Sequence, residues 1–362
     1  MLKYIKQLDS LRGIAILLVL FWHCIAGPMQ ETAFNNSGQK LKIALCWTWS
    51  GVDLFFVLSG FLIGSTLMIN SKSRNYFRVF YLRRFFRILP LYYLFLIFFV
   101  FFNDWVQLPI LSWLGKNHYP AGSYFFFYQN FFMAGDGFGS PGLNITWSLA
   151  VEEQFYLVLP LLIRKVSARY MPYILMLGII MAPLLRIVVP GIGKAVLLPT
   201  RIDALFAGVM IGYLFSKAKT PDSPRTKLIL NVLFLAVTAC TLIHAIYFNG
   251  NHIEGILNHT LWCATYGLLV YLTITNAFFL KKILDSSWLS FIGKISFSIY
   301  LLHQIINYLM HRLILKQDPV IANPTDVLLT IFSLLTIIAV SYVTYSLIEQ
   351  PFIKYGKRFK YQ

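Results

Sequence analysis

The sequence predicts an all-α fold, a polytopic transmembrane helical bundle of about ten spans, on three observations. Of its 362 residues, 58% are hydrophobic and only 12% charged, more apolar surface than a soluble domain of this length can bury. The apolar residues gather in runs long enough to cross a hydrocarbon core of about 30 Å. These lie near 12 to 27, 50 to 69, 88 to 103, 146 to 163, 172 to 189, 200 to 216, 228 to 248, 257 to 280, 290 to 315 and 325 to 347. The third observation is that lysine and arginine collect in alternate loops. With both termini cytoplasmic, 22 of the 31 basic residues fall in inner segments, as the positive-inside rule requires.

That rule absorbs most of the net charge of +17. It leaves no nucleic-acid partner to expect, because the positives are scattered over short loops rather than gathered on one domain. The expected partner is the lipid bilayer itself. Cys24, Cys46, Cys240 and Cys263 show no paired spacing, so neither a disulfide framework nor a metal site is expected. The first run is polar at its start and lacks a small-residue cleavage site, which reads as a retained helix rather than a signal peptide. With no linker, repeat or low-complexity stretch, residues 1–362 read as a single membrane domain with no appended soluble domain.

The first run, LRGIAILLVLFWHC, carries Arg12 and His23. Eleven helical steps return His23 to within about 20° of Arg12, roughly 16 Å along the axis. One helix face therefore holds a cation near a membrane surface and an imidazole near mid-depth. A charged residue at mid-depth costs on the order of 2.5–3.5 kcal/mol, so polar groups there are functional candidates. The second run, WSGVDLFFVLSGFLIG, places Asp53 among aromatics, where it needs an imidazole or arginine from a neighbouring span. Ser59, Gly60 and Gly64 allow close helix approach.

Before the third run, SKSRNYFRVFYLRRFFRILPLYY is mostly an orientation signal, but Arg84 and Arg87 share one helix face. Planar guanidiniums suit a polyphosphate or, equally, anionic lipid headgroups. The outer stretch of about 104 to 145 contains YFFFYQNFFMAGDGFGSPG, an aromatic run suited to the interface or re-entry, with a Gly-rich end suited to a lid. The fourth run opens with ITWSLAVEEQFYLVLP. Glu152 and Glu153 point about 100° apart and need different partners, while Ser148, Glu152 and Tyr156 form one row. Arg201 and Asp203 open the sixth run, His303 lies inside the ninth, and Glu349 closes the tenth. Any one of them alone reads equally well as a structural pair.

Together these motifs resemble the acyltransferase-3 family of integral membrane acyltransferases. The resemblance runs through LDSLRGIAILLVLFWH, GVDLFFVLSGFLIG, the Arg84 and Arg87 pair, WSLAVEEQFYLVLP, TRIDALFAG, SFSIYLLH and IEQPF, in order over nearly the whole chain. It implies a stand-alone membrane O-acyltransferase of the bacterial inner (plasma) membrane, like those that acetylate O-antigen, exopolysaccharide or peptidoglycan sugars. The donor implied is cytoplasmic acetyl-CoA or another acyl-CoA, and the acceptor a cell-surface or lipid-linked glycan, with no metal. Arg84 and Arg87, with Arg12, would bind the donor phosphates. His23 would act as general base or as acyl carrier, supported by Asp53, Glu152 or Glu153. Arg201, Asp203 and His303 would meet the acceptor. The rival from another class is a secondary transporter or lipid flippase, which calls for Gly/Pro-broken helices in matching halves; none is found.

Overall fold

The computed structural model describes residues 4–34, 37–105, 119–217, 223–248 and 254–362. Among them all regular structure is helical, and the one extended contact is an isolated bridge between Met29 and Ile321. In chain order the helices begin with α1 (Lys6–Phe21), α2 (Ser37–Leu45), α3 (Gly51–Ile69), α4 (Tyr76–Trp105), α5 (Ala121–Phe125) and α6 (Gln129–Asp136). They continue with α7 (Thr146–Lys165), α8 (Met171–Val188), α9 (Gly193–Val196), α10 (Leu198–Lys217), α11 (Pro224–Tyr247) and α12 (Glu254–Ile274). The last are α13 (Lys281–Leu284), α14 (Ser287–Lys294), α15 (Ser296–Ile314), α16 (Pro324–Thr344) and α17 (Gln350–Gly356).

Among the described residues, six helical stretches are long and apolar enough to cross a membrane: Lys6–Ala26, Ser37–Ile69, Met171–Val188, Gly193–Lys217, Pro224–Tyr247 and Pro324–Gly356. α14 and α15 make a seventh if counted as one broken span. The other three expected spans coincide with α4, α7 and α12, which are helices of sufficient length but more polar. α4 begins with Arg78, Arg83, Arg84 and Arg87, α7 carries Glu152, Glu153, Arg164 and Lys165, and α12 carries Asn258 and His259. Asn258 and His259 are buried and Glu152 and Glu153 half-buried, whereas Arg78, Arg164 and Lys165 are exposed near helix ends, so apolar length alone does not register these helices.

The chain divides into two compact units. The first is Met1–Leu18, Trp49–Lys72 and Glu152–Lys294; the second is Val19–Thr48, Ser73–Val151 and Ile295–Gln362. The first unit is organised by the close packing of α3 on α10. A Cβ on Gly60 would lie 2.0 Å from the Leu205 carbonyl oxygen, and one on Gly208 2.1 Å from that of Val57. Only glycine permits this backbone approach, the device that small residues provide wherever membrane helices cross closely. At the start of the chain, Lys6 donates to the Asp285 carbonyl at 2.7 Å and Gln7 to the Asp285 carboxylate at 2.6 Å.

In the second unit α15 and α16 pack antiparallel, and α16 starts from a reciprocal cap in which Asn323 accepts from the Asp326 amide and Asp326 accepts from that of Asn323. α4 packs on α17 and the chain end through Phe86, which stacks on Phe352 and Phe359, while Arg83 donates to the Phe359 carbonyl at 2.8 Å. The aromatic run expected on the outer side folds as α5 and α6. Tyr92 donates to the Tyr124 carbonyl at 3.0 Å and Tyr93 to that of Phe125 at 3.1 Å; residues 106–118 of that stretch lie outside the described residues. Two widened π turns interrupt the helices, Trp22–Ala26 after α1 and Tyr345–Glu349 after α16. Such turns are rare and concentrate at functional sites.

Replacing Gly60 or Gly208 by Val should destabilise the protein by about 1–3 kcal/mol or more through forced separation of α3 and α10, read as a lowered thermal midpoint in detergent. An unchanged midpoint would mean that these helices do not approach so closely.

Candidate active site

The π turn at the end of α1 presents His23. Its Nδ1 lies 3.1 Å from the Val19 carbonyl oxygen and 3.2 Å from Nε2 of His303 on α15. The other nitrogen of His303, Nδ1, lies 2.7 Å from the Tyr300 carbonyl oxygen and 3.2 Å from that of Ile299. A carbonyl oxygen can only accept, so Nδ1 of His303 carries a proton and, in the neutral ring, Nε2 is an acceptor. Nδ1 of His23 then faces two acceptors and must be the donor. This assigns the proton of neutral His23 to Nδ1 and leaves the lone pair on Nε2. The rings are tilted by 52° with centroids 5.0 Å apart, so hydrogen bonding rather than stacking sets their geometry.

His303 is fully buried and His23 half-buried. Tyr300 is held in turn: its hydroxyl donates to the Ile145 carbonyl at 2.9 Å and lies 2.6 Å from the Ser148 hydroxyl. A chain of groups from the start of α7 through α15 thus fixes the imidazole of His303 and, through it, that of His23. The same unit buries Glu349 at the second π turn, where Ser298 donates to it at 2.8 Å. Arg84 and Arg87 are half-buried on α4 in this unit, on one face as their spacing requires.

Asp53 lies in the first unit and is fully buried. It meets both an arginine and an imidazole: Arg201 of α10 donates to one carboxylate oxygen, and Nδ1 of His259 on α12 lies 3.4 Å from the other. Arg201 also donates to Nδ1 of His259 and stands 5.4 Å from the centre of the Phe56 ring. Beside this cluster Arg186 of α8 donates to Asp203 at 2.5 Å, to the Thr200 carbonyl at 2.7 Å, to the Ile256 carbonyl at 3.0 Å and to Thr260 at 2.9 Å. The two arginines balance the two aspartates.

Several expected site residues therefore have other partners. Arg201 and Asp203, expected at an outer mouth facing a sugar, are each 1% exposed and ion-paired. The imidazole beside Asp53 is His259, whereas His23 meets His303, itself expected on the acceptor. Glu152 accepts from Ser59 at 2.8 Å and from Tyr156 at 2.9 Å; Glu153 is half-buried on an adjacent side of α7, and Arg12 is half-buried on α1 in the first unit. The sequence reading passed over Arg186, His259 and Tyr300. The first two sit in apolar runs, where the buried-charge argument that picked out Asp53 applies to them equally.

The family profile described as an acyltransferase domain matches residues 5–346. The peptidoglycan O-acetyltransferase OatA of Listeria monocytogenes is 26% identical over 384 residues, which cover 99% of this chain and 58% of that protein. The O-acetyltransferase OatA of Staphylococcus aureus NCTC 8325 is 26% identical over 380 residues, covering 98% of this chain and 58% of its own. The chain spans under two thirds of the length of these curated relatives. No solved structure matches it.

Removing one partner of a buried ion pair leaves an uncompensated charge, at a cost of about 3–5 kcal/mol. Arg201→Met should therefore abolish accumulation of folded protein in the membrane, and the double variant Asp53→Asn/Arg201→Met should recover part of it. Fluorescence-detected size-exclusion chromatography of solubilised membranes reads both; equal damage from the single and double variants would contradict the pairing.

Proposed function

The chain belongs to the acyltransferase-3 family, and from that premise we propose that it is a membrane O-acyltransferase that moves an acyl group, acetyl by preference, from cytoplasmic acyl-CoA to a sugar hydroxyl. The observation that carries this reading is the histidine pair. With Nδ1 of His23 committed to Val19 and His303, the lone pair on Nε2 is the one available for chemistry.

As a general base, Nε2 takes the proton of an acceptor hydroxyl while its oxygen attacks the thioester carbonyl. The tetrahedral intermediate collapses with cleavage of the carbon–sulfur bond, and the CoA thiolate leaves with the proton returned from Nε2. As an acyl carrier, Nε2 attacks the thioester itself and the carbon–sulfur bond breaks to release the thiolate; the hydroxyl oxygen then takes the acyl group from Nε2, and the hydroxyl proton passes by way of the freed Nε2 to the thiolate. Both routes place a positive charge on His23 in a low-dielectric setting, where stabilisation must come from fixed dipoles. The acceptor nitrogen of His303, polarised by the Tyr300 and Ile299 carbonyls, supplies it. His303 is thus a positioning residue rather than an acceptor ligand.

Arg84 and Arg87 are assigned to the donor phosphates, in keeping with the family motif and their shared helix face. Both termini are assigned to the cytoplasm and the protein to the bacterial inner membrane, on the distribution of basic residues. The acceptor is a cell-envelope glycan; the name of the Listeria relative points to peptidoglycan as the first to try.

Purified protein given acetyl-CoA should release CoA in a manner dependent on a glycan acceptor, and His23→Ala should abolish release while still inserting normally; wild-type turnover by that variant would sink the role of His23. Loss of the His303 hydrogen bond in His303→Phe should lower kcat by roughly tenfold or more, and by no more than the about 10²–10⁴ that general-base catalysis supplies, at unchanged KM for the donor. His303→Gln, whose amide oxygen can still accept, should retain more activity than His303→Phe, whereas equal loss would indicate a packing role. Arg84→Ala should raise the KM for acetyl-CoA, and an unchanged KM would point to lipid anchoring instead.

A further inference from the structure

In the second unit a row of polar side chains runs along the seam where α15 and α16 pack. On α15 it consists of Tyr300, Gln304, Asn307 and His311, and on α16 of Thr330, Ser333 and Ser341. Spacings of three, four and eight keep each set within about 80° of arc. None of these residues is more than 8% exposed, whereas Ile331, Phe332 and Leu335 on the other side of α16 are open. Nε2 of His311 lies 3.2 Å from the Thr330 hydroxyl, which pins the register. Antiparallel packing then sets Asn307 at the level of Ser333 and Tyr300 at that of Ser341.

One end of the row reaches the surface. The Thr330 hydroxyl donates to the Asp326 carbonyl at 2.8 Å, and the exposed Gln317 donates to the Asp326 carboxylate at 3.1 Å. With its one proton committed, Thr330 accepts from Nε2 of His311, and Nδ1 of the neutral ring is a bare acceptor. Among the described residues that Nδ1 has no partner, and neither do Oδ1 of Asn307, Oε1 of Gln304 or the hydroxyls of Ser333 and Ser341.

The simplest account of hydroxyls inside a helix is that they turn back on their own backbone. Thr330, Thr336 and Thr344 do so, each donating to the carbonyl four residues earlier; Ser333 and Ser341 do not. Nor can the row satisfy itself, because the two hydroxyl protons cannot serve all three bare acceptors. An unmet buried polar atom costs roughly 5–150-fold in the folding equilibrium, so several together would offset much of a protein's marginal stability. What fits is a ligand that both donates and accepts and is small enough to lie between packed helices. Water has that chemistry, and buried water gathers where polar groups otherwise lack partners.

We propose that the seam between α15 and α16 holds a file of internal waters that extends about 16 Å from His311 to Tyr300. The carbonyl of Tyr300 accepts from Nδ1 of His303, so the file joins the exposed end at Gln317 to the residue that orients the histidine pair. The site rests on the unpartnered atoms alone and stands whether or not the acyltransferase reading does.

X-ray radiolytic footprinting of the full-length protein in detergent, read by mass spectrometry, tests it, because hydroxyl radicals formed from bound water oxidise the side chains beside it. Ile337 lies in the row between Ser333 and Ser341, and Ile16 lies on α1; both are fully buried. Ile337 should be oxidised about fivefold or more faster than Ile16, since only the former sits against buried water. Asn307→Leu/Ser333→Ala, which removes two of the anchoring groups, should bring Ile337 down to the rate of Ile16. Equal oxidation of the two isoleucines in the wild type, or a rate at Ile337 that the double variant leaves unchanged, would overturn the proposal. The wild-type comparison decides the matter by itself if the double variant fails to fold.

Discussion

The ion pair between Asp53 and Arg201 is the contact on which the first unit depends. Both groups are buried to 1% exposure or less, and a lone charge there has no stable alternative: it must be matched or the helices that carry it must separate. Matching it draws α3 and α10 together about two helical turns from where Gly60 and Gly208 let their backbones touch, and it brings in α12 through His259. The neighbouring pair of Arg186 and Asp203 ties α8 to α10 and reaches the Ile256 carbonyl and Thr260 of α12. Four helices are thereby fixed by two charge pairs that cancel. Hydrophobic burial brings membrane helices into the bilayer but does not choose between their packings, so this charge matching carries much of the specificity.

The second unit uses polar groups differently. At its centre are two imidazoles, and their order of donors and acceptors is dictated by backbone carbonyls rather than by a carboxylate. Carbonyl dipoles orient the ring and can share a transient positive charge without imposing a permanent one. The π turn at Trp22–Ala26 belongs to the same design, because widening the helix there changes the direction in which His23 leaves the backbone. Among the described residues the two buried arginine–aspartate pairs lie in the first unit and the paired imidazoles of His23 and His303 in the second.

How much of this was legible in the sequence follows from range. Composition and the apolar runs give an all-helical membrane protein, of which six helices among the described residues, or seven with the broken pair, are long and apolar enough to span, against about ten expected. The number that qualify as apolar spans differs because α4, α7 and α12 carry polar groups that a one-dimensional reading takes as facing lipid. Arg12, His23 and Asp53 stood out because each is costly where it lies, and the need of Asp53 for an arginine or imidazole was readable from the same cost. Which arginine and which imidazole was not. Arg201 is 148 residues away and His259 is 206, and the ties between His23 and His303 span 280. Such pairings are set by helix packing, which leaves no local periodicity to read. Arg201 and Asp203 lie next to a span boundary, so the sequence placed them at a surface, whereas α9 and the start of α10 bury them.

The central claim is that His23 is the reacting group of a membrane O-acyltransferase. The most direct test is mass spectrometry of the envelope glycans of cells that produce the wild-type protein or His23→Ala at equal membrane levels. The account predicts a base-labile acyl ester on a glycan hydroxyl with the wild type and its complete absence with the variant. The same ester at the same occupancy in both would contradict it.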